Sequence, residues 1–291
     1  MRKEDVKKAV REGYAQVAKQ ESSCCAPSGS CCGGTIVAKD ISKAIGYSDE
    51  EMQAVPEGAN LGLGCGNPVA LASLKEGEVV LDLGSGVGGP ARTIAAEYGC
   101  HVTGIDLVEE YCRTAEILTG MLGLGGSVTF RQGDMTDMPF EDGSFDRALT
   151  MHTQMNVEDK SKLFNEVSRV LKPGGLFALY EICAGPNSPL HFPVPWADDL
   201  SISFLIAPDE LRGMLKDTGF GEIAWRDVSA PSLTWFQIQL ELLSSVPKDA
   251  PPPLGLNLIM GPSFAEKFKN VFTNLKEDRV RVVQGVYQTG E

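Results

Sequence analysis

The sequence predicts an α/β protein with a mainly parallel sheet and helices on both of its faces. From Val79 onward, short apolar runs alternate with amphipathic segments of helical spacing, which is typical of βαβ units. A glycine-rich turn follows the first apolar run, as in sheets that bind a ligand at the carboxyl ends of their strands. The 291 residues, 43% of them hydrophobic, are enough to bury the core of one large domain.

Composition and charge restrict the partners and the compartment. The formal charge of −13 would repel a phosphate backbone, and no basic stripe interleaved with aromatic residues is present, so we expect no nucleic acid partner. No apolar run is long enough to span a bilayer, and the N-terminus lacks the apolar region of a signal peptide. We therefore expect a cytoplasmic protein with no membrane partner, in which the eight cysteines need not form disulfides.

Residues 1–78 are predicted to form a helical, cysteine-rich lid outside the sheet. Residues 1–20 have helical spacing, and residues 22–34 form a loop that carries two adjacent pairs of cysteines. A helix start at Ser48 precedes a segment in which repeated glycines interrupt any regular element.

Residues 79–291 are predicted to form the sheet domain. The expected strands lie at 79–83, 101–105, 127–131, 144–151 and 175–182, and the helices between them near 89–97, 108–122 and 158–171. An irregular insertion near 184–207 is expected to cap a substrate pocket. A helix at 208–218, a strand at 222–229, a helical pair and an apolar run at 279–290 complete the chain.

The glycine loop LDLGSGVGG holds the first candidate binding residues. Gly84, Gly86 and Gly89 have the spacing G-x-G-x-x-G, which on its own predicts a dinucleotide site. Asp82 opposes that interpretation, because a carboxylate at this position would repel a pyrophosphate and would favour a ligand that carries an ammonium group. Asp106 ends the second strand, where an acidic residue accepts hydrogen bonds from ribose hydroxyls.

The stretch GDM after the third strand completes a pattern of three acidic residues at strand ends. Asp134 and Met135 lie where an adenine amino group and ring could be bound. Together, D-x-G-x-G, Asp106 and GDM resemble the class I methyltransferases that use S-adenosylmethionine (SAM), over about residues 79–230. The resemblance implies a Rossmann-like sheet of seven strands, mostly parallel, with the last strand antiparallel, and SAM as the cofactor.

The resemblance also implies a set of cofactor-binding residues. These are Tyr14, Asp82, Gly84, Ser85, Gly86, Asp106, Leu107, Asp134, Met135 and Thr150. Tyr14 resembles an N-terminal tyrosine that closes over the cofactor in related enzymes, and an amphipathic core position is its alternative. An NAD-dependent oxidoreductase is the alternative that the glycine spacing permits and Asp82 opposes.

The stretch MHTQMN after strand four is expected at the end of the sheet where methyl transfer occurs. Transfer from a sulfonium is an in-line displacement, so the protein mainly positions the reactants in a dry pocket. We expect His152 and Gln154 to line the acceptor pocket. His152 could be a base or an orienting donor, or a structural hydrogen-bonding residue.

A second resemblance covers residues 6–78. The string VPEGANLGLGCGNP and the cysteine loop before it are similar to the N-terminal region of arsenite methyltransferases. The resemblance implies that Cys65 and one of the loop cysteines bind trivalent arsenic, which is soft and thiophilic, and that a thiol reductant is a partner. The loop cysteines concerned are Cys24, Cys25, Cys31 and Cys32.

The chain departs from that family downstream. Two further cysteines of the family are absent: MHTQMNVEDK replaces the first site, and Ser201 or Ser203 lies near the second. Cys183, at the end of strand five, is a candidate to reach the same pocket or else a packed apolar residue. The body of the chain resembles sarcosine/dimethylglycine and tocopherol methyltransferases, which leaves open an amine or carbon acceptor in a pocket that includes His191 and Trp196.

Other interpretations of the paired cysteines stay open. A structural zinc site is disfavoured because C-C-x5-C-C lacks the usual C-x2-C spacing, whereas a transient catalytic disulfide or a loop without function is allowed. A non-catalytic protein that binds metalloids through thiols is the alternative from another functional class. Cys100 and Cys112 are expected to be packing residues inside regular elements.

Overall fold

The computed structural model describes residues 74–245 and 263–290, together with residues 5, 7, 8, 11 and 12 of an N-terminal helical segment. In chain order the strands are β1 (Val79–Leu83), β2 (His101–Asp106), β3 (Val128–Gln132), β4 (Phe145–Met151), β5 (Leu171–Ala184), β6 (Gly221–Asp227) and β7 (Val280–Gln288). They form one sheet in the order β3-β2-β1-β4-β5-β7-β6. Strands β1 to β5 pair in parallel, and β7 runs antiparallel to both of its neighbours. The predicted sheet of seven strands with an antiparallel last strand is confirmed.

Helices cover both faces of this sheet. They are α1 (Gly89–Tyr98), α2 (Glu109–Met121), α3 (Lys160–Val170), α4 (Pro208–Asp217), α5 (Ser229–Ser245) and α6 (Phe264–Lys276). Side chains alternate along β5: Phe177 and Leu179 pack in the cluster that includes α3 and α4, whereas Ala178 packs in the cluster of α1. Burial on both faces explains why the strands are continuous apolar runs in the sequence.

The insertion between β5 and α4 packs against the end of the sheet where strands β1 to β5 finish. It contains a 3-10 turn at Leu200–Ile202, and Val194 and Trp196 are buried in a cluster with Val271 and Leu275 of α6. The α6 helix therefore fixes the insertion at the carboxyl edge, where the sequence analysis expects a cap on the substrate pocket.

Two predicted boundaries were wrong for identifiable reasons. The helix α3 ends at Val170 and β5 begins at once, because Leu171 already pairs with Phe145 before a register shift at Pro173 to Gly175. Strand β6 ends at Asp227, whose carboxylate accepts a hydrogen bond of 2.9 Å from the amide of Ser229 and so starts α5.

No helix in the described ranges combines the length and the apolar character that crossing a lipid bilayer requires.

Candidate active site

The glycine loop folds onto the end of β2. The amides of Gly84 and Ser85 donate to the carbonyl of Ile105 at 2.8 and 3.1 Å. The amide of Gly86 donates to Oδ2 of Asp106 at 2.8 Å, and the amide of Val108 donates to Oδ1 at 2.9 Å. The predicted loop residues and Asp106 are thus brought together, and the Asp106 carboxylate fixes the shape of the loop.

Asp82 places a buried carboxylate beneath this loop. Its side chain is 2% exposed, and its Oδ2 has no hydrogen-bond partner among the residues described. Burial, together with the nearby charge of Asp106, raises the pKa of Asp82 to about 7. Ser85 Oγ is likewise buried with no partner in this part of the chain. A buried polar atom without a partner is unfavourable, so this pair indicates that a ligand completes the site.

The residues of this edge fit SAM. Asp82 Oδ2, which lacks a partner among the described residues, suits the ammonium group of the ligand, and no pyrophosphate has to lie beside it. Gly84 and Gly86 have φ values of 68° and 52°, and this turn keeps side chains out of the space above β1. Asp106 retains lone pairs for the hydroxyls of a ribose.

SAM affinity is expected to increase about tenfold from about pH 5.5 to about pH 7, because only ionised Asp82 pairs with an ammonium group. With the pKa of Asp82 near 7, a few per cent of the ligand-free protein is ionised at the lower pH. Calorimetric titration at each pH measures the change.

The variant Asp82→Asn is the control for this effect, and it should bind SAM weakly with no such rise. A raised folded-state pKa makes the ligand-free fold less stable as pH rises from about 4 to about 7, so tighter binding cannot come from a more stable fold. A flat profile in the wild-type protein would contradict this role of Asp82.

Asp134 lies at the end of β3 and is already hydrogen-bonded. Its Oδ1 accepts from the amide and the hydroxyl of Thr136, both at 2.8 Å, and Lys7 pairs with its Oδ2. Burial raises the pKa of Asp134, but the hydrogen bonds from Lys7 and Thr136 outweigh it and the net pKa is lowered. Met135 beside it is half-buried against the core. The N-terminal helical segment therefore contacts the carboxyl edge of β3 through Lys7.

The turn after β4 carries polar groups that have no hydrogen-bond partner among the described residues. His152 has a φ of 52° and a half-buried ring 4.5 Å from the ring of Tyr180, and its Nδ1 is shielded and unpaired within the described ranges. Burial lowers the pKa of His152 to about 4, so the imidazole is neutral at physiological pH. Gln154 is 2% exposed, and its Nε2 also has no partner there. Both residues lie in the turn that touches Gly84 through Thr153.

Two buried charged residues beneath this turn were missed by the sequence analysis. Glu181 on β5 is fully buried, and it accepts a hydrogen bond of 2.5 Å from the hydroxyl of Thr150. Lys160, the first residue of α3, is 4% exposed. An acidic residue inside the apolar run GLFALYEI was a signal for Glu181, whereas a lysine in the first turn of a helix gave none. The Thr150 hydroxyl is therefore engaged with Glu181.

The structure gives Cys183 a packing position rather than a place in the pocket. It is 1% exposed in the cluster that contains residues of α3 and α4, and burial raises the pKa of its thiol to about 12. A thiol that stays protonated is a poor nucleophile, so we assign Cys183 no catalytic role.

The other expected pocket residues of the cap have partners. The half-exposed His191 has its Nε2 within hydrogen-bond distance of Glu277 Oε2, at 2.7 Å, and Trp196 Nε1 donates to Ser203 Oγ at 3.0 Å. Cys112 is buried in α2 as expected. Cys100 is buried too, but it lies between α1 and β2 rather than inside an element, and it donates to the carbonyl of Lys75.

The remaining predicted site residues lie outside the described residues. These are Tyr14, Cys24, Cys25, Cys31, Cys32 and Cys65. Leu107, by contrast, is described: it follows β2, and its carbonyl accepts a hydrogen bond from Gln132 Nε2. The part of the chain with described side chains contains no group of three or more His, Cys, Asp or Glu residues that could hold a metal ion.

Comparison with known proteins identifies the fold around this site. Residues 81–179 match the family described as "Methyltransferase domain". Over these residues the chain is similar to methyltransferase domains. The arsenite methyltransferase of Halobacterium salinarum is 32% identical over 246 residues, which are 78% of this chain and 60% of that protein. The predicted resemblance to methyltransferases that use SAM is confirmed.

Other similar proteins have names that refer to different methyl acceptors. The sterol 24-C-methyltransferase of Saccharomyces cerevisiae is 32% identical over 164 residues, 54% of this chain and 43% of that protein. The chain therefore spans less than two thirds of either curated relative. The geranyl diphosphate C-methyltransferase of Streptomyces coelicolor, solved with S-adenosyl-L-homocysteine, has a TM-score of 0.65 at 18% identity and covers 96% of this chain and 97% of that one. This likeness shows the fold alone.

Proposed function

We propose that the protein transfers a methyl group from SAM to a small molecule and that the acceptor is trivalent arsenic. The observation that carries the cofactor assignment is the buried Asp82 carboxylate beneath the glycine loop, whose Oδ2 has no hydrogen-bond partner within the described residues. Asp82 would bind the ammonium group of SAM, Asp106 its ribose and Asp134 its adenine amino group. When bound, SAM supplies an electrophilic methyl group on a sulfonium.

The chemistry of the turn after β4 favours an acceptor that has no proton to lose. His152 has a pKa of about 4, which makes it a weak general base at neutral pH. A trivalent arsenic atom attacks through a lone pair, so its methylation requires no base. An amine acceptor would have to arrive already deprotonated.

The thiols of the predicted lid, residues 1–78, supply the arsenic site in this proposal. Cys65 and one of the loop cysteines would hold the metalloid, and the two loop pairs are Cys24-Cys25 and Cys31-Cys32. The similarity to the haloarchaeal arsenite methyltransferase supports this assignment. Thiolate ligands require a reducing environment, so we place the protein in the cytoplasm with a thiol reductant as its partner.

An N- or C-methyltransferase of small organic molecules is the second candidate function. It is favoured by the absence of two cysteines that the arsenite family carries and by the similarity to the yeast sterol 24-C-methyltransferase. In this case Gln154 Nε2 would donate to a polar group of the acceptor, and Cys65 would have no part in the reaction.

A methyl-transfer assay with several acceptors separates the two candidates. The wild-type protein is incubated with SAM labelled in the methyl group, a thiol reductant, and either arsenite or one of glycine, sarcosine and dimethylglycine. We expect the label in methylated arsenic species. Label found only in an amine product would overturn the arsenic assignment and leave the methyltransferase class intact.

A further inference from the structure

The turn that carries His152 and Gln154 rests on one buried carboxylate. Glu181 is fully buried on β5 and accepts hydrogen bonds from the amides of Thr153 at 3.1 Å and Gln154 at 3.2 Å, besides the hydroxyl of Thr150. Three donors on two elements therefore converge on this side chain. Their geometry fixes where the backbone of the turn lies relative to the sheet.

A buried ammonium group joins the same turn to the cap. Lys160 Nζ donates to the carbonyls of Gln154 at 3.0 Å, Val157 at 2.8 Å and Phe204 at 2.6 Å. Phe204 belongs to the insertion after β5, and its own amide donates to the carbonyl of Met155 at 2.8 Å. One lysine thus fastens the cap to the turn from below.

The side-chain amide of Asn156 also joins the turn after β4 to the cap. Its Nδ2 donates to the carbonyl of Trp196 at 2.8 Å and to the carbonyl of Ile202 at 2.9 Å. The turn and the cap therefore share hydrogen bonds at two separate places. We expect them to move as one unit.

We propose that Glu181 and Lys160 are positioning residues that hold the turn after β4 and the cap as a single preorganised wall of the methyl-acceptor pocket. Burying a carboxylate and an ammonium group is unfavourable, and apolar residues would fill the same space without that penalty. Neither group reaches the glycine loop directly. Their effect passes through Thr153, whose side chain occupies the space next to Gly84.

This inference rests on the proposed methyl transfer, because it concerns the acceptor side of that reaction. An in-line displacement is sensitive to small displacements of the groups that orient the acceptor, and a shift of about 1 Å can reduce the rate about a hundredfold. Glu181 and Lys160 would supply this precision while touching neither the acceptor nor SAM.

The variant Glu181→Gln tests the carboxylate. In glutamine an amide nitrogen replaces one carboxylate oxygen, and it cannot accept a hydrogen bond from the backbone amides of the turn. The rate of methyl transfer per S-adenosylhomocysteine-binding site should therefore fall about a hundredfold. The number and affinity of those binding sites should be retained. Hydrogen exchange in the S-adenosylhomocysteine complex should accelerate at residues 152–157 and not in β1 to β3.

The matched control is Glu222→Gln, which removes a carboxylate on β6 that accepts a hydrogen bond of 2.8 Å from Arg212 of α4, away from the turn. It should leave the transfer rate and the exchange of residues 152–157 unchanged. Glu181→Gln could instead lower the total rate only as far as it lowers the number of S-adenosylhomocysteine-binding sites, so that the rate per site is unchanged. In that case the residue is merely structural and the proposal is wrong.

The variant Lys160→Met tests the link to the cap, and its control is Lys162→Met, two residues further along the same helix and exposed. Lys160→Met should accelerate exchange at residues 200–206 and raise the acceptor KM, whereas the control should do neither. Unchanged exchange in both Glu181→Gln and Lys160→Met would overturn the proposal. A wild-type protein that methylates no acceptor would instead overturn the proposed function, and the exchange measurement would still report on the wall.

Discussion

Replacing Gly84 with alanine is expected to lower the affinity for SAM about a hundredfold and to slow methyl transfer when SAM is not saturating. Gly84 has a φ of 68°, and a Cβ atom on it would lie 2.2 Å from Cγ2 of Thr153. The left-handed conformation alone costs an alanine about 1–2 kcal/mol, and the contact forces the loop or the turn after β4 to move. A combined loss of about 3 kcal/mol corresponds to an affinity lower by about a hundredfold.

Two variants separate strain from the steric contact. Gly77 has a φ of 79° with no atom within 4 Å of a built Cβ, so Gly77→Ala should lower thermal stability and leave SAM affinity unchanged. Adding Thr153→Ala to Gly84→Ala removes the two closest atoms and should restore part of the affinity. Calorimetric titration with SAM measures all three proteins. Wild-type affinity in Gly84→Ala would show that the loop does not contact the cofactor as described.

Replacing Cys65 with serine is expected to abolish methylation of arsenite and to leave SAM binding intact. A serine hydroxyl stays protonated and is a hard ligand, so it does not replace a thiolate on a soft arsenic atom. Transfer to an amine, if the protein carries it out, should be unaffected. Quantifying methylated arsenic species and bound SAM in the same samples tests both statements.

Cys100→Ser is the matched control for this substitution. Cys100 lies between α1 and β2, at the edge of the sheet where β2 begins, and donates to the carbonyl of Lys75 at 3.3 Å. A serine hydroxyl can make the same hydrogen bond, so arsenite methylation should persist. Equal activity of Cys65→Ser and the wild-type protein would contradict the arsenic site and favour the organic acceptor.

The sequence placed the candidate cofactor residues at one edge of the sheet because their signals are local. Asp82 precedes Gly84 by two residues, and Asp106 ends the next strand, so the period of the strands and one loop place them at the same edge. The structure joins them through the bond from Gly86 to Asp106. The resemblance implied seven strands with an antiparallel last strand, whereas the order of the strands in the sheet was not predicted.

The acceptor side was predicted less completely because its contacts join distant parts of the chain. Glu181 and Thr150 are 31 positions apart, and Lys160 and Phe204 are 44 positions apart. Periodicity shows which residues share a face of a strand, and it places Cys183 with Phe177 and Leu179. It does not show which face α3 and α4 cover, so the sequence left both expectations for Cys183 open, a place in the pocket and a packed position in the core.

The most direct test of the account is a single-turnover reaction with methyl-labelled SAM, arsenite and a thiol reductant, with the wild-type protein in excess. Chromatography with mass spectrometry follows SAM, S-adenosylhomocysteine and each arsenic species over time. We expect one methylated arsenic species to form for each S-adenosylhomocysteine produced. Consumption of SAM with arsenite left unchanged, or no consumption although SAM is bound, would contradict methyl transfer to arsenic.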